Sequence, residues 1–153
     1  MVKSINEIIH GIYEEAVLVI NDDEYKVVSM CSYRGKNNTE LYYKIFLEDN
    51  FVLVLIPNEE FAYFGQNIGD SGIKIPVPEN ITFENVEYKY SFDDYQTLEQ
   101  VFFGENYEQR LNYWDYEAKD EESNSIISFL IDNNGKRFDT IADIIDLEDV
   151  KLG

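Results

Sequence analysis

Apolar residues recur at helical spacing at the N-terminal end of the chain. Four isoleucines share one helical face: Ile5, Ile8, Ile9 and Ile12. Ser4 with Glu7 three residues later forms a capping box, which satisfies free backbone N–H groups at a helix start. The pattern predicts a helix over 1–15 whose isoleucine face packs on a sheet.

Beyond residue 15 the pattern changes to short apolar or alternating segments separated by turn residues. Such segments predict strands, and the closest pairs predict hairpins. The predicted strands are AVLVI at 16–20, EYKVVSM at 24–30, LYYKIFL at 41–47, FVLVLIP at 51–57 and FAYFG at 61–65. A turn cluster at 34–40 separates the second strand from the third. The following stretch, 66–80, is rich in glycine and proline and predicts a connector.

The same order of elements restarts at residue 81. Its segments are ITF at 81–83, VEYKYSF at 86–92, the alternating run YEQRLNYWDYEAK at 107–119 and SIISFLI at 125–131. The segment 96–104, between the second and third of these, fits a strand or a short helix. Asn134-Gly135 predicts a type I′ hairpin turn, because Asn-Gly tolerates the positive φ angles that this turn needs. The segment 141–150 predicts one short helical turn followed by a terminal strand.

The tripeptide Glu-Tyr-Lys occurs at 24–26 and again at 87–89, and the hairpins around it align. One explanation is duplication of a β unit. The other is that antiparallel proteins reuse a small set of turn and strand residues. Duplication predicts that Tyr25 and Tyr88 occupy matching, inward-facing places, with their charged neighbours on the opposite face.

These elements together predict one domain over 1–153 with a mainly β (α+β) fold. We expect an antiparallel sandwich or barrel-like sheets, and under the duplication explanation the two β units are repeats of each other. The predicted parts are a helix over 1–15, a first β unit over 16–65, a connector over 66–80 and a second β unit over 81–153.

The charge of the chain narrows the classes of partner. There are 31 acidic against 12 basic residues, which gives a net charge of −19. Such a field repels phosphates and anionic lipids and attracts basic surfaces, so we predict no direct nucleic acid binding. FVLVLIP is too short to span a bilayer, so we predict no membrane insertion. The single cysteine, Cys31, and the lack of a signal-peptide pattern predict a cytoplasmic location, with Cys31 buried as a small apolar residue.

Sequence motifs for chemistry are missing from the chain. The only histidine, His10, has no nucleophile motif near it. Gly65, Gly69 and Gly72 lack the helix that a phosphate-binding loop requires. DNNG at 132–135 fails the spacing of a calcium-binding loop. We therefore predict no enzyme activity and no catalytic, cofactor-binding or metal-binding residue, and we expect no cofactor.

Two groups of residues leave a binding role open. Acidic residues would form a cation site if their two hairpins lie side by side: Asp22, Asp23, Glu24, Asp93 and Asp94. Aromatic residues either line a ligand groove or pack within the sheets: Tyr42, Tyr43, Tyr113, Trp114 and Tyr116.

The order of several stretches resembles the bacterial domain of unknown function 4178. These stretches, which cover about 16–150, are YKVVSMCSYRG, YYKIFLEDNFVLVLIPNEEFAYFG, ITFENVEYKY, FFGENY, NYWDYEA and SIISFLID. The resemblance implies a non-enzymatic accessory domain, and it assigns no functional residue.

The sequence therefore predicts a non-catalytic, cytoplasmic protein-binding or scaffold domain of a bacterial type. Its partner would be another protein with a basic surface, bound in a groove between the two β units. The alternative is an acidic nucleic-acid mimic from a phage or mobile element that inhibits a DNA-binding protein. Alternate residues of a strand lie about 6.6–6.8 Å apart on one face, which is close to the spacing of phosphates.

Overall fold

A computed structural model describes residues 4–37, 39–105 and 108–153. Within these ranges the helix α1 (Ile5–Gly11) precedes a series of strands. The strands are β1 (Val17–Ile20), β2 (Asp23–Gly35), β3 (Leu41–Leu47), β4 (Phe51–Ile56), β5 (Phe61–Gly69), β6 (Asn80–Phe83), β7 (Val86–Phe103), β8 (Arg110–Ala118), β9 (Ser125–Asp132), β10 (Asp139–Ile145) and β11 (Val150–Leu152). Among the described residues, no helix has both the length and the apolar character needed to cross a bilayer.

Eight strands close into an antiparallel barrel in the order β2-β3-β4-β5-β10-β9-β8-β7, and β7 pairs again with β2. The mainly β, barrel-like prediction is confirmed, whereas the sandwich alternative is wrong. A sandwich would leave each sheet with free edges, and here the β5–β10 and β2–β7 pairs join those edges. Closure is possible because β2 and β7, with 13 and 18 residues, are long enough to take two partners along one edge.

The two hairpins that contain Glu-Tyr-Lys have the same register. Tyr25 pairs with Leu18 in the β1–β2 hairpin, and Tyr88 pairs with Ile81 in the β6–β7 hairpin. Both turns have two residues with positive φ, Asn21-Asp22 and Glu84-Asn85, as a type I′ turn requires. Each hairpin leads into three further strands that pair in the same order. This arrangement is what an internal repeat predicts.

The prediction for the two tyrosines is confirmed. Tyr88 is buried and Tyr25 is half-buried, while the glutamate and lysine beside each of them are exposed. The ring of Tyr25 lies 5.0 Å from the rings of both Phe51 and Phe64. The hydroxyl group of Tyr88 lies 2.8 Å from Ser125 Oγ. Each tyrosine therefore anchors its hairpin to the outer face of its own unit.

The N-terminal helix is shorter than the predicted 1–15 and ends at Gly11, because Ile12 is already extended. Ser4 Oγ accepts a hydrogen bond from the Glu7 backbone N–H at 3.2 Å, which is the predicted cap. Residues 1–3 lie outside the described residues. Ile5 and Ile8 are fully buried and Ile9 is half-buried, so the isoleucine face packs on the barrel as predicted.

Several other elements differ from the predicted boundaries. β5 continues to Gly69, so the connector begins at residue 70 and not at 66. The segment 96–104 belongs almost entirely to β7 and is a strand. β2 continues to Gly35 and so extends into the predicted turn at 34–40. Residue 38 of that turn and residue 107 of the predicted segment 107–119 lie outside the described residues.

The C-terminal turns also differ from the prediction. In the Asn-Gly turn only Gly135 has a positive φ, and its N–H bonds to the Asp132 carbonyl at 3.1 Å. This is a type I turn followed by a left-handed glycine rather than type I′. β10 runs through Ile145, and the single helical turn follows at Leu147–Asp149 before β11. The apolar residues at 141–145 pair on both sides, which favours a strand over the predicted helical turn.

The main apolar clusters lie on the outer surface of the barrel. α1, β1 and β11 cover the outer face of β3, β4 and β5, where Ile45, Leu53 and Leu55 are fully buried. The connector and β6 cover the outer face of β8, β9 and β10 around Ile127 and Phe129. Because these outward residues form the core, the opposite face of the same strands is left to line the barrel interior.

Candidate functional site

The barrel encloses a cavity of about 110 Å³ with a mixed lining. Its walls are largely apolar, with Val52, Val54, Ile56, Ile126, Leu130 and Ala142. Its polar lining residues come from six strands and from the segment before β8: Tyr42, Lys44, Tyr63, Gln96, Glu108, Tyr113, Asp115, Ser128 and Thr140. This concentration of polar and ionisable groups makes the barrel interior the candidate site.

A buried ion pair forms part of the lining. Lys44 Nζ donates to Glu108 Oε1 at 2.7 Å, and both side chains are less than 10% exposed, at 9% and 8%. The Lys44 ammonium also lies 5.1 Å from the centroid of the Tyr33 ring. Tyr33 donates its hydroxyl proton to the Glu108 backbone carbonyl at 2.6 Å. The lysine charge is therefore already neutralised by a protein carboxylate.

Asp115 is a second carboxylate in the lining, placed there by β8. It accepts a hydrogen bond from the Ser128 hydroxyl group on the neighbouring strand β9. The pKa of Asp115 is raised to about 6, mainly by burial and to a small extent by Glu117, against the lowering effects of the Ser128 hydrogen bond and the Lys44 charge. Asp115 is therefore a carboxylate whose charge in the cavity is only partly compensated.

Three tyrosines line the same cavity from three different strands. Burial is the main cause that raises the pKa of Tyr42, Tyr63 and Tyr113, and the Asp115 charge raises all three further. Their phenol groups stay neutral and can donate hydrogen bonds at physiological pH. Tyr42 uses its proton to bond to Gln96 Oε1 at 2.7 Å.

Gln96 is a polar residue of the lining whose side-chain hydrogen bonding is incomplete. Its side chain is 1% exposed, and its Nε2 has no hydrogen-bond partner within the described part of the chain. A buried amide donor without an acceptor costs about 1–3 kcal/mol. The amide group lines the cavity, so an acceptor on a bound molecule would remove this cost.

A larger cavity of about 530 Å³ lies next to the interior one. Val52 and Glu108 line both cavities, which makes them neighbours. The remaining lining comes from β2, the end of β3, the start of β4, the end of β5, Glu105 and the β9–β10 turn, and it includes Asn67, Arg137 and Phe138. Arg137 is engaged by Asp139 at 2.7 Å, whereas Ser29 Oγ in this lining is buried and has no hydrogen-bond partner among the described residues.

The aromatic residues singled out from the sequence divide between the two faces of the barrel. Tyr42 and Tyr113 line the cavity, as the ligand-groove alternative predicts. Tyr43 packs against the outer cluster, with its ring 5.9 Å from that of Phe102, and Trp114 and Tyr116 pack under the connector. Tyr116 donates to the Pro78 carbonyl at 2.8 Å, which ties the connector to the barrel.

The acidic residues of the proposed cation site are not brought together. Asp22 and Asp23 lie at the start of β2 and are exposed. Asp94 lies on β7, is buried, and is close to the other end of β2. There Asp94 accepts from the Asn37 backbone N–H at 3.1 Å. Across the described ranges, no three acidic, histidine or cysteine side chains are grouped so that they could hold a metal ion.

The remaining candidates have structural explanations. His10 is exposed in the last turn of α1. A Cβ atom on Gly65 would lie 2.1 Å from the Ile141 carbonyl oxygen, so this glycine permits β5 and β10 to pair closely. Gly69 and Gly72 have positive φ at the end of β5 and in the connector. Cys31 is fully buried as predicted. The pKa of its thiol is raised to about 11, mainly by burial and secondly by the negative charge of Glu108.

Sequence reasoning missed Gln96, Asp115, Ser128 and the Lys44–Glu108 pair. A signal for Asp115 exists in the alternation of NYWDYEA, which puts this acid on the same face as Tyr113. An acidic residue on a strand face that is expected to be buried is unusual, and it therefore marks a candidate site residue. No comparable local signal identifies Gln96, because its burial depends on strands that are distant in sequence.

Comparison of the chain with protein-family models, with curated proteins and with solved structures gave no match. The resemblance to the bacterial domain of unknown function 4178 therefore stays an expectation from the sequence.

Proposed function

We propose that the protein is a non-catalytic binding domain whose ligand is a small molecule held inside the barrel. The observation that carries this proposal is the Gln96 amide, which is almost completely buried and whose Nε2 has no acceptor among the described residues. Buried polar groups in proteins are nearly always hydrogen-bonded. A ligand atom that accepts from Gln96 accounts for this exception.

The lining of the cavity supports the same conclusion. A cavity lined only by apolar residues would stay dry, whereas polar partners allow water or a ligand to bind. Here the neutral tyrosine hydroxyl groups, the Gln96 amide and the Asp115 carboxylate offer both donors and acceptors against apolar walls. A few directional groups in an apolar pocket are typical of small-molecule sites. The volume of about 110 Å³ restricts the ligand to a small one.

A fragment screen followed by amide NMR tests the proposal. We expect at least one small fragment to shift the side-chain NH₂ signals of Gln96 and to raise the melting temperature. The Gln96→Leu variant should lose this response. Gln100→Leu, which changes an exposed glutamine on the same strand, should keep it. A screen without interior shifts, or equal binding by Gln96→Leu, would contradict an interior site.

A double variant separates binding from folding. Tyr42→Phe with Gln96→Leu removes both partners of the 2.7 Å hydrogen bond together with the unpaired amide donor. Replacing both polar partners by apolar groups is often neutral or stabilising. The ligand-free double variant should therefore be at least as stable as the original protein in urea unfolding, while it binds no fragment. A large loss of stability would show that the interior polar groups serve folding.

The other roles predicted from the sequence remain predictions. A cytoplasmic scaffold that binds a basic protein, and a nucleic-acid mimic, both require the outer surface rather than the barrel interior. Pull-down with the intact protein tests both, and substitutions at Gln96 should leave such partners bound.

A further inference from the structure

We infer that the interior cavity recognises a small organic ammonium cation that also carries a hydrogen-bond acceptor oxygen. This inference rests on the proposed function, because it names the chemical class of the ligand for the same site. Three features carry it: the charge left in the cavity, the tyrosine lining and the position of Gln96.

The charge left in the cavity is negative. Lys44 is the cationic side chain among the described lining residues, and it is bound to Glu108 at 2.7 Å. The Asp115 carboxylate accepts a hydrogen bond from the Ser128 hydroxyl group and is partly compensated by the Lys44 charge, while Glu117 adds a further negative charge from the same strand. Tyr42 from β3, Tyr63 from β5 and Tyr113 from β8 itself face Asp115 with neutral phenol groups. A bound cation would compensate the carboxylate, whereas an anion would be repelled.

The tyrosine lining suits a cation with methyl or methylene groups. Aromatic faces attract ammonium groups, and several aromatic rings around one site are used to bind quaternary ammonium ligands. The barrel already uses this interaction, because the Lys44 ammonium lies over the Tyr33 ring. Val54, Ile56 and Ile126 supply apolar contacts for the carbon atoms of such a ligand. Asp115, the tyrosines and these walls together distinguish an organic cation from a metal ion.

The position of Gln96 indicates the second group on the ligand. On β7 Gln96 pairs with Leu111, which lies four residues before Asp115 on β8. The unpaired amide donor and the carboxylate are therefore at different levels of the barrel. A single atom cannot serve both, whereas a short chain with an ammonium group at one end and a hydroxyl or carbonyl oxygen at the other can.

Two probes of the same shape test the charge requirement. Choline carries a quaternary ammonium and a hydroxyl group, and 3,3-dimethylbutan-1-ol is its neutral isostere. We would titrate each into the intact protein at about pH 7.5 and about 0.15 M salt, and follow the amide signals of Gln96 and Ser128 by NMR. We expect choline to bind at least about tenfold more tightly than the isostere.

Matched variants locate the cation. Asp115→Asn should remove most of the preference for choline and keep the weak binding of the isostere. Asp143→Asn, an exposed acid on β10, should keep the preference and so control for general attraction by the net charge of −19. Lowering the pH from about 7 to about 5 should weaken choline binding about tenfold, because the pKa of Asp115 is about 6. Binding of the isostere should not change with pH.

The outcomes separate the inference from the proposed function. Equal binding of both probes, or binding of the isostere alone, would overturn the cation inference and leave the interior site intact. Binding of neither probe would also overturn it, and the fragment screen would then decide the proposed function. Choline binding that survives Asp115→Asn unchanged would assign the cation to the outer surface and refute the inference.

Discussion

Asp115→Asn provides the sharpest test of the electrostatics inside the barrel. Burial raises the pKa of Asp115 from an ordinary value of 3.8 to about 6. Each pKa unit corresponds to about 1.4 kcal/mol, so ionisation of Asp115 costs the folded state up to about 3 kcal/mol. Because Asp115 faces the cavity, water there can screen part of this cost, and about 3 kcal/mol is an upper value. Asparagine has nearly the same shape, stays neutral and can still accept from Ser128.

The raised pKa of Asp115 determines how the stability of the folded protein changes with pH. The folded pKa is raised, so stability from protonated Asp115 is fully present below about pH 3.8 and is lost as the pH rises through about 6. Asp115→Asn should therefore be more stable than the original protein by up to about 3 kcal/mol at about pH 8. The difference should shrink to roughly half at about pH 5 and vanish at lower pH.

Urea unfolding followed by the fluorescence of Trp114 measures this difference between pH 5 and 8. Subtracting the two proteins at each pH cancels the titration of the other carboxylates. Asp143→Asn serves as the control and should differ little from the original protein across the range, because this residue is exposed. A difference for Asp115→Asn that does not depend on pH, or that grows toward acid, would refute the assignment of a buried carboxylate whose charge is only partly compensated.

Three further predictions concern the rest of the fold. Ile8→Ala should lower the free energy of unfolding by about 2–5 kcal/mol and Ile9→Ala by clearly less, because only Ile8 is fully buried; equal losses in urea unfolding would contradict this. Lys44→Met should lower the free energy of unfolding by about 3–5 kcal/mol, because it removes the cation that is paired with the buried Glu108 carboxylate. NMR titration should also show the pKa of Asp115 rising above about 6, and a fall would be inconsistent with a nearby lysine charge. Raising the salt concentration from about 0.01 M to about 0.2 M at pH 7 should raise the melting temperature by screening the −19 charge, and a decrease would show that attractive pairs dominate.

The elements that the sequence predicted well are those fixed by local chemistry. Leu41–Leu47 has the predicted bounds because aromatic and branched residues fill it between two turn clusters. The predicted turns at 21–23 and 84–85 contain the observed hairpin turns Asn21-Asp22 and Glu84-Asn85, because polar turn residues stand there between apolar runs and Asn and Asp tolerate positive φ. The predicted extent of α1 was too long because the isoleucine spacing continues to Ile12 after the helix has ended.

The closure of the barrel could not be predicted from these local patterns. It depends on pairs such as Tyr33 with Leu98, which are distant in sequence and have no motif of their own. A sandwich and a barrel use the same strands with the same alternation, and they differ only in whether the last edges pair. Predicting closure requires the length of β7, and the sequence leaves its second half, 96–104, open between a strand and a short helix.

The candidate site was only partly predictable for a related reason. Alternation separates Tyr42 from Tyr43 and Tyr113 from Trp114, but it does not say which face of a strand points into the barrel. In most barrels we would expect the more apolar face to point inward. Here α1, β1 and β11 provide a larger apolar surface outside, so Ile45 and Leu53 turn outward and Tyr42 and Lys44 turn inward.

The two β units place charged residues at matching positions inside the barrel. Aligning LYYKIFL with RLNYWDYEA places Tyr42 over Tyr113 and Lys44 over Asp115, and all four residues line the cavity. Matching positions of the two units thus carry opposite charges that could neutralise each other. Instead Lys44 binds Glu108, which lies between β7 and β8 in the second unit. Because that glutamate takes the lysine of the described lining, the charge of Asp115 is only partly compensated, whereas a direct ion pair between the matching positions would neutralise it.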